Sequence, residues 1–200
     1  MTATTPISRL KCITIKDCYI LGAASILSFI LETTLGLFLS AFIAVPLIGG
    51  IVSAWLDSFL IFLALFIVPR LGAPTLFATV LLVLSTVTPS FGPPGAYKIL
   101  IGIGLGLIVD VLLLILGRSA AAYIASVAVG FAGSIPVTYV VWRYYLPKQA
   151  DGLLSYIPML TAIYGVISLI GALIGYWFFK NWLLKLVVVQ RVRANEMTNR

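Results

Sequence analysis

The sequence predicts an all-α integral membrane protein, a bundle of about six transmembrane helices with both termini on the inner side. Three observations predict it. Hydrophobic residues make up 62% of the chain and charged residues only 10%, with a mean hydropathy of +1.16, and a water-soluble domain needs far more charge to cover its surface. The apolar residues fall into runs of membrane-crossing length. Prolines, glycines and basic residues punctuate the boundaries between those runs. The 200 residues accommodate roughly six spans with short loops, as one transmembrane domain, with no room for a soluble ATPase module.

Residues 1–17 read as a polar, basic segment carrying Arg9, Lys11 and Lys16. The apolar run from Cys18 to about Ser40 is the first span; it is too long for the core of a signal peptide and contains Glu32. The second span covers about 43–68, broken near its start by Pro46 and Gly49-Gly50, and ends at the turn Val68-Pro69-Arg70-Leu71-Gly72. The third is short, about 74–91, and runs into Thr88-Pro89 and then Ser90-Phe91-Gly92-Pro93-Pro94-Gly95, which cannot be helical. The fourth covers about 98–117 and stops at Gly117-Arg118. The fifth covers about 119–142, with Pro136 predicted to kink it, and a polar loop from Arg143 to Ser155 follows. The sixth covers about 156–179, and 180–200 is a basic tail.

Orientation follows from the basic residues. With the N-terminus inside, Arg9, Lys11, Lys16, Arg70, Arg118, Lys180, Lys185, Arg191, Arg193 and Arg200 fall on the inner side, against Lys98, Arg143 and Lys148 outside, as the positive-inside rule requires. Aromatic residues agree: Trp142, Tyr144, Tyr145 and Tyr156 mark the outer interface, and Trp177, Phe178, Phe179 and Trp182 the inner one. The net charge of +7 thus sets topology, and no nucleic-acid partner is expected.

The chain contains no histidine, which excludes a His-based metal site, a Ser-His-Asp triad and a Cys-His pair. Cys12 and Cys18 are spaced neither as a redox motif nor as a disulfide framework. No nucleophile–base constellation stands out, so the chain is not expected to be an enzyme, and no cofactor is expected. Glu32, Asp57 and Asp110 fall inside spans, where an ionisable group costs several kcal/mol unless paired or wet. At about 1.5 Å per residue, Glu32 lies about 10 Å below the outer end of its helix. It either pairs with Lys98 or faces a wet outer cavity and meets a ligand. Asp57 and Asp110 lie deeper and either pair with Arg70 or Arg118 or serve coupling. Phe91–Gly95, beside Tyr97 and Lys98, is either an ordinary turn or irregular backbone lining a cavity. Small residues recur at helical spacing in Ala24/Ser28, Gly102/Gly106, Ala122/Ser126/Gly130/Ser134 and Gly171/Gly175; such stripes mark helix–helix contacts, within the bundle or with another subunit.

The middle of the chain resembles a known family. Arg70-Leu71-Gly72-Ala73-Pro74, a short span to Thr88-Pro89, Gly92-Pro93-Pro94-Gly95, and Gly102-Ile103-Gly104-Leu105-Gly106-Leu107-Ile108-Val109-Asp110 follow one another as in the substrate-binding (S) subunits of energy-coupling-factor vitamin transporters. Those proposed for hydroxymethylpyrimidine and thiamine are the nearest in pattern. The similarity is best over about 66–118. It implies a six-helix fold in the cell membrane that captures a vitamin or precursor from outside, with a transmembrane T subunit and two cytoplasmic ATPases as partners. In that family an Ala-x-x-x-Ala motif on the first span docks the T subunit; this chain has Ala24-x-x-x-Ser28. Glu32, with the aromatic residues Tyr97, Tyr139 and Tyr164, suits a cationic aromatic ring. With Phe91, Gly92 and Lys98 these residues form the candidate ligand site. A stand-alone secondary transporter or channel, and an assembly subunit without ligand, are the competing expectations.

Overall fold

Each apolar run ends where the chain supplies a turn or a cap, and the helices follow those signals. In the computed structural model, residues 13–42, 48–89 and 92–183 are described. They form α1 (Ile15–Phe42), α2 (Ile48–Ile67), α3 (Ala73–Leu84), a 3-10 turn (Ser85–Val87), α4 (Lys98–Leu116), α5 (Ala120–Tyr145), α6 (Pro147–Leu154) and α7 (Ile157–Asn181). Phe91, Ser90, Pro46, residues 1–12 and residues 184–200 lie outside the described residues.

The caps are local. Ahead of α1, the Asp17 carboxylate accepts the Thr14 N–H at 2.8 Å and the Thr14 hydroxyl at 2.7 Å, while the Thr14 hydroxyl oxygen accepts the Asp17 N–H at 3.3 Å. This reciprocal pair satisfies donors that the first turn leaves open. Ser119 caps α5 by accepting the Ala122 N–H at 3.1 Å. Gly72 enters α3 with φ of 83°, a left-handed conformation that costs a side-chain-bearing residue more than glycine. The helix α5 runs through Pro136 to Tyr145, past the expected end of the span. The segment expected as a loop from Arg143 to Ser155 contains α6, begun by Pro147. Its polarity hides a two-turn helix in which Ala150 is buried and Leu153 packs on the core.

Six helices close a ring. Helix α1 packs on α2, α2 on α7, α7 on α5, α5 on α4, α4 on α3, and α3 back on α1. Helix α2 also touches α3 and α5, so it runs nearest the middle, and the continuous stretch Leu60–Leu65 is buried. Four helices (α1, α4, α5 and α7) are long and apolar enough to cross a membrane, whereas the described apolar stretches Ser53–Ile67 and Ala73–Val87 are shorter. Ile26, Ile30, Leu107, Val111, Leu114, Val166, Ile170 and Leu173 are large, apolar and exposed, as lipid contact demands and water would penalise.

Close backbone approach sets the ring's geometry. A Cβ on Gly102 would fall 2.6 Å from the Ala78 carbonyl oxygen, and one on Gly106 would collide with the Thr75 backbone. On α7, a Cβ at Gly171 would strike the Ser58 hydroxyl and approach the Trp55 carbonyl to 2.5 Å. Ala122, Ser126, Gly130 and Ser134 are all buried in α5. These stripes hold the chain's own helices together through van der Waals contact. Gly106→Val should therefore lower stability by about 1–3 kcal/mol through overpacking. Gly22→Ala, where nothing lies within 4 Å, should raise it by about 0.5–1 kcal/mol. Melting temperatures of the detergent-purified variants check both.

Candidate functional site

The bundle has two polar ends and a buried polar core. Its basic end gathers the start of α1, the α2–α3 turn and the α4–α5 junction. Asp110, on the last two turns of α4, accepts the Gly72 N–H at 2.8 Å and the Thr75 hydroxyl at 2.6 Å. Arg118 donates to the Pro69 carbonyl at 2.6 Å and acts electrostatically on Asp110. Arg70 pairs with Asp17 at 2.6 Å. A small cleft of about 20 Å³ lies among Arg70, Leu71, Asp110, Leu113, Arg118 and Tyr123, room for one water-sized group. Arg118, one of the two basic residues expected beside Asp110, acts on it through its charge, while the hydrogen bonds of Asp110 go to the turn. The turn brings its own donors, so the carboxylate serves as a clasp for Gly72–Thr75.

At the opposite end, the loop after Thr88 folds back on itself. The Gly95 N–H donates to the Thr86 carbonyl at 2.8 Å, and the Tyr97 hydroxyl donates to the Pro93 carbonyl at 2.5 Å. Burial raises the Tyr97 phenol above its ordinary range, so it remains a donor at neutral pH. The Trp142 ring covers Gly92, where φ is 101°, and Tyr145 stacks on Tyr97 with ring centroids 6.4 Å apart. The Gly-Pro segment is thus a packed cap over this end of the bundle.

Lys98 begins α4 beneath that cap. The sequence places it at the outer start of the fourth span, and it is 0% exposed. Its ammonium donates to the Ser85 carbonyl at 3.0 Å and the Thr88 carbonyl at 2.6 Å. A helix end inside an apolar bundle has carbonyls that water cannot reach, and a cation is the strongest donor for them. Lys98 also interacts electrostatically with Glu32, which is 3% exposed on α1.

Glu32 in turn acts on Asp57 of α2 and on Tyr164 of α7. Asp57 is 0% exposed and accepts the Ser28 hydroxyl of α1 at 2.5 Å on one carboxylate oxygen. Its partner is neither Arg70 nor Arg118, which serve the basic end about 15 Å further along the bundle at 1.5 Å per residue. Tyr164 is buried, with Ser168 one turn on along the same face of α7. Ser25 fastens α1 to α3 by donating to the Phe77 carbonyl at 3.0 Å.

The structure therefore brings together Glu32, Asp57, Lys98 and Tyr164, from four helices. Gly92 and Tyr97 belong to the cap above them. Tyr139 is half-buried on α5 and is not among the groups acting on Asp57. Asp110 belongs to the other end. Of the expected docking pair Ala24/Ser28, Ser28 is fully buried with its hydroxyl on Asp57, and Ala24 packs against the core. A hydroxyl in apolar surroundings seeks an acceptor, and α2 supplies it. Trp142 and the Thr14/Asp17/Arg70 set were not foreseen. The Thr14-x-x-Asp17 spacing is a recognisable cap signature; the other two contacts have no local signal. Comparison with protein-family models, curated proteins and solved structures found no match.

Asp110→Ala leaves the Gly72 N–H and the Thr75 hydroxyl without their acceptor. It should cost about 1–3 kcal/mol and speed amide hydrogen exchange at Gly72–Thr75. Asp110→Asn, which keeps an acceptor oxygen, should retain most of that protection. Equal exchange in all three proteins would show that the clasp does not hold the turn.

Proposed function

We propose that this chain is a membrane-embedded substrate-binding subunit, of the energy-coupling-factor type, that captures a small cationic, vitamin-like ligand from outside the cell. It crosses the cell membrane six times, with the basic end inside and the Gly-Pro cap outside. A transmembrane T subunit and cytoplasmic ATPases supply the energy. The observation that carries this is the convergence of Glu32, Asp57, Lys98 and Tyr164 in one buried cluster below the cap. Burying such groups costs several kcal/mol, and a cationic ligand turns that cost into recognition. The order of motifs over 66–118 and the closed ring of six helices support the same reading.

The ligand meets carboxylate charge from Glu32 and aromatic faces from Tyr164 and the cap. Entry requires the cap, Trp142 over Gly92 and Tyr97 on Pro93, to swing aside. The basic end, tied by Asp110, Arg118 and the Asp17–Arg70 pair, stays fixed meanwhile.

A second reading is favoured by the electrostatic coupling of Glu32 to Asp57. Two neighbouring buried acids also suit a stand-alone ion-coupled transporter. Uptake into proteoliposomes containing this chain alone, without ATPases, would select it.

Thermal stabilisation of the purified protein against a panel of vitamins and precursors tests the main proposal. A ligand at 100 times its dissociation constant adds about 2.7 kcal/mol, and Glu32→Gln should weaken a cationic ligand about tenfold, or about 1.4 kcal/mol. An unchanged affinity in Glu32→Gln would remove Glu32 from the site.

A further inference from the structure

Asp57 stands out as a buried acid that the bundle leaves half-answered. One oxygen accepts the Ser28 hydroxyl. The other, Oδ2, is buried and has no hydrogen-bond partner among the described residues. Around it, α1 contributes Glu32 and Ser28, and α7 contributes Tyr164. Helix α3 contains no titratable residue between Ala73 and Leu84. On α5, Tyr123 packs instead against Phe66, nearer the basic end. The charge acting on Asp57 is that of Glu32, of like sign. The cation of the cluster, Lys98, sits on α4 with its ammonium on the Ser85 and Thr88 carbonyls, and it acts on Glu32. Among the described residues, the ammonium thus faces Glu32, while the charge beside Asp57 in this low-dielectric interior is a second carboxylate.

Such an arrangement leaves one negative charge too many, and a proton is the smallest species that removes it. The carboxylate nearer the ammonium keeps its charge, and the other takes the proton. We propose that Asp57 is a proton-binding site at the middle of the bundle, protonated on Oδ2 in the ligand-free protein, and that a cationic ligand entering the cluster displaces that proton. The second part rests on the ligand-binding function proposed above. In the exchange the O–H bond of Asp57 breaks, the proton passes to bulk water, and the ligand's positive charge takes its place beside the carboxylate. The net charge of the buried cluster is the same before and after, so the bilayer interior never holds an uncompensated anion.

The exchange fixes the sign of the pH dependence. Binding releases one proton, so a ligand of constant charge binds more tightly as pH rises, by up to tenfold per pH unit while Asp57 stays protonated in the free protein.

Infrared spectroscopy on the ligand-free full chain in lipid nanodiscs tests the first part. At neutral pH the protein should show a carboxylic C=O band that Asp57→Asn removes and Glu32→Gln keeps. A spectrum unchanged by Asp57→Asn, or a band lost only in Glu32→Gln, overturns the assignment. Calorimetry with thiamine, in two buffers of different ionisation enthalpy, tests the exchange. About one proton should leave per thiamine bound to the wild type, and none in Asp57→Asn. Thiamine binding without proton release overturns the exchange. If neither thiamine nor any other cation of the panel binds, the ligand-binding function fails, while the infrared band still decides whether Asp57 holds a proton.

Discussion

A helix bundle whose outer faces are apolar has no water along its length, so each buried charge must be answered by a group from the chain itself. That constraint explains more of this structure than hydrophobic burial does, because lipid offers apolar residues the same surroundings outside as inside. Lys98 shows how the answer is found. The lysine that opens α4 reaches two carbonyls beyond the end of α3, that of Ser85 in the 3-10 turn and that of Thr88 just after it. The lysine is then itself a buried cation, and Glu32 on α1 offsets it. One satisfied helix end thereby fixes the positions of α3, α4 and α1 relative to one another.

The basic end solves the same problem with a carboxylate. Asp110 takes the open donors of the α2–α3 turn, and Arg118 takes the Pro69 carbonyl from the other side. Arg70 is drawn away to Asp17, so the N-terminal cap of α1 is tied to the same turn. Two of these links use backbone groups, which cannot change rotamer, and the clasp is stiff for that reason. Close packing of Gly102 and Gly106 against α3 then continues the constraint along the α3–α4 pair. At the other end the cap is held by aromatic contacts and by hydrogen bonds within the loop.

Much of the helix layout was legible in the sequence, because long apolar runs bounded by Gly, Pro and charge have few alternative structures. The fourth span, expected at about 98–117, is α4 at Lys98–Leu116, and the sixth, expected at about 156–179, is α7 at Ile157–Asn181. Helix α6 was missed because two turns are too short to show a period. The stripes of small residues were legible as contacts, but not which helix each would meet. Side-chain partners were the hardest to read. Lys98 reads from the sequence as an outer-side charge at the start of a span, and Ser28 as a packing or docking residue. Their roles depend on carbonyls 10 and 13 positions away and on a carboxylate 29 positions away, which only the folded ring brings near. The acids Glu32, Asp57 and Asp110 could be picked out by cost alone, although cost does not distinguish a clasp from a site.

That distinction comes from what surrounds each acid. Both oxygens of Asp110 meet donors from a turn that would otherwise have none, so its burial is repaid locally and nothing more is required of it. Asp57 has a donor on one oxygen and a like charge for a neighbour. It sits on α2, the helix that touches α1, α3, α5 and α7. A change of charge there is felt by four helices at once, whereas a change at Asp110 is confined to the end of one helix pair. If the chain moves between an empty and a loaded form, α2 is the element able to transmit the change. Ser28, which joins Asp57 to the helix carrying Glu32, is the contact through which α1 would respond. Over its described residues, α1 is the least buried of the four long apolar helices.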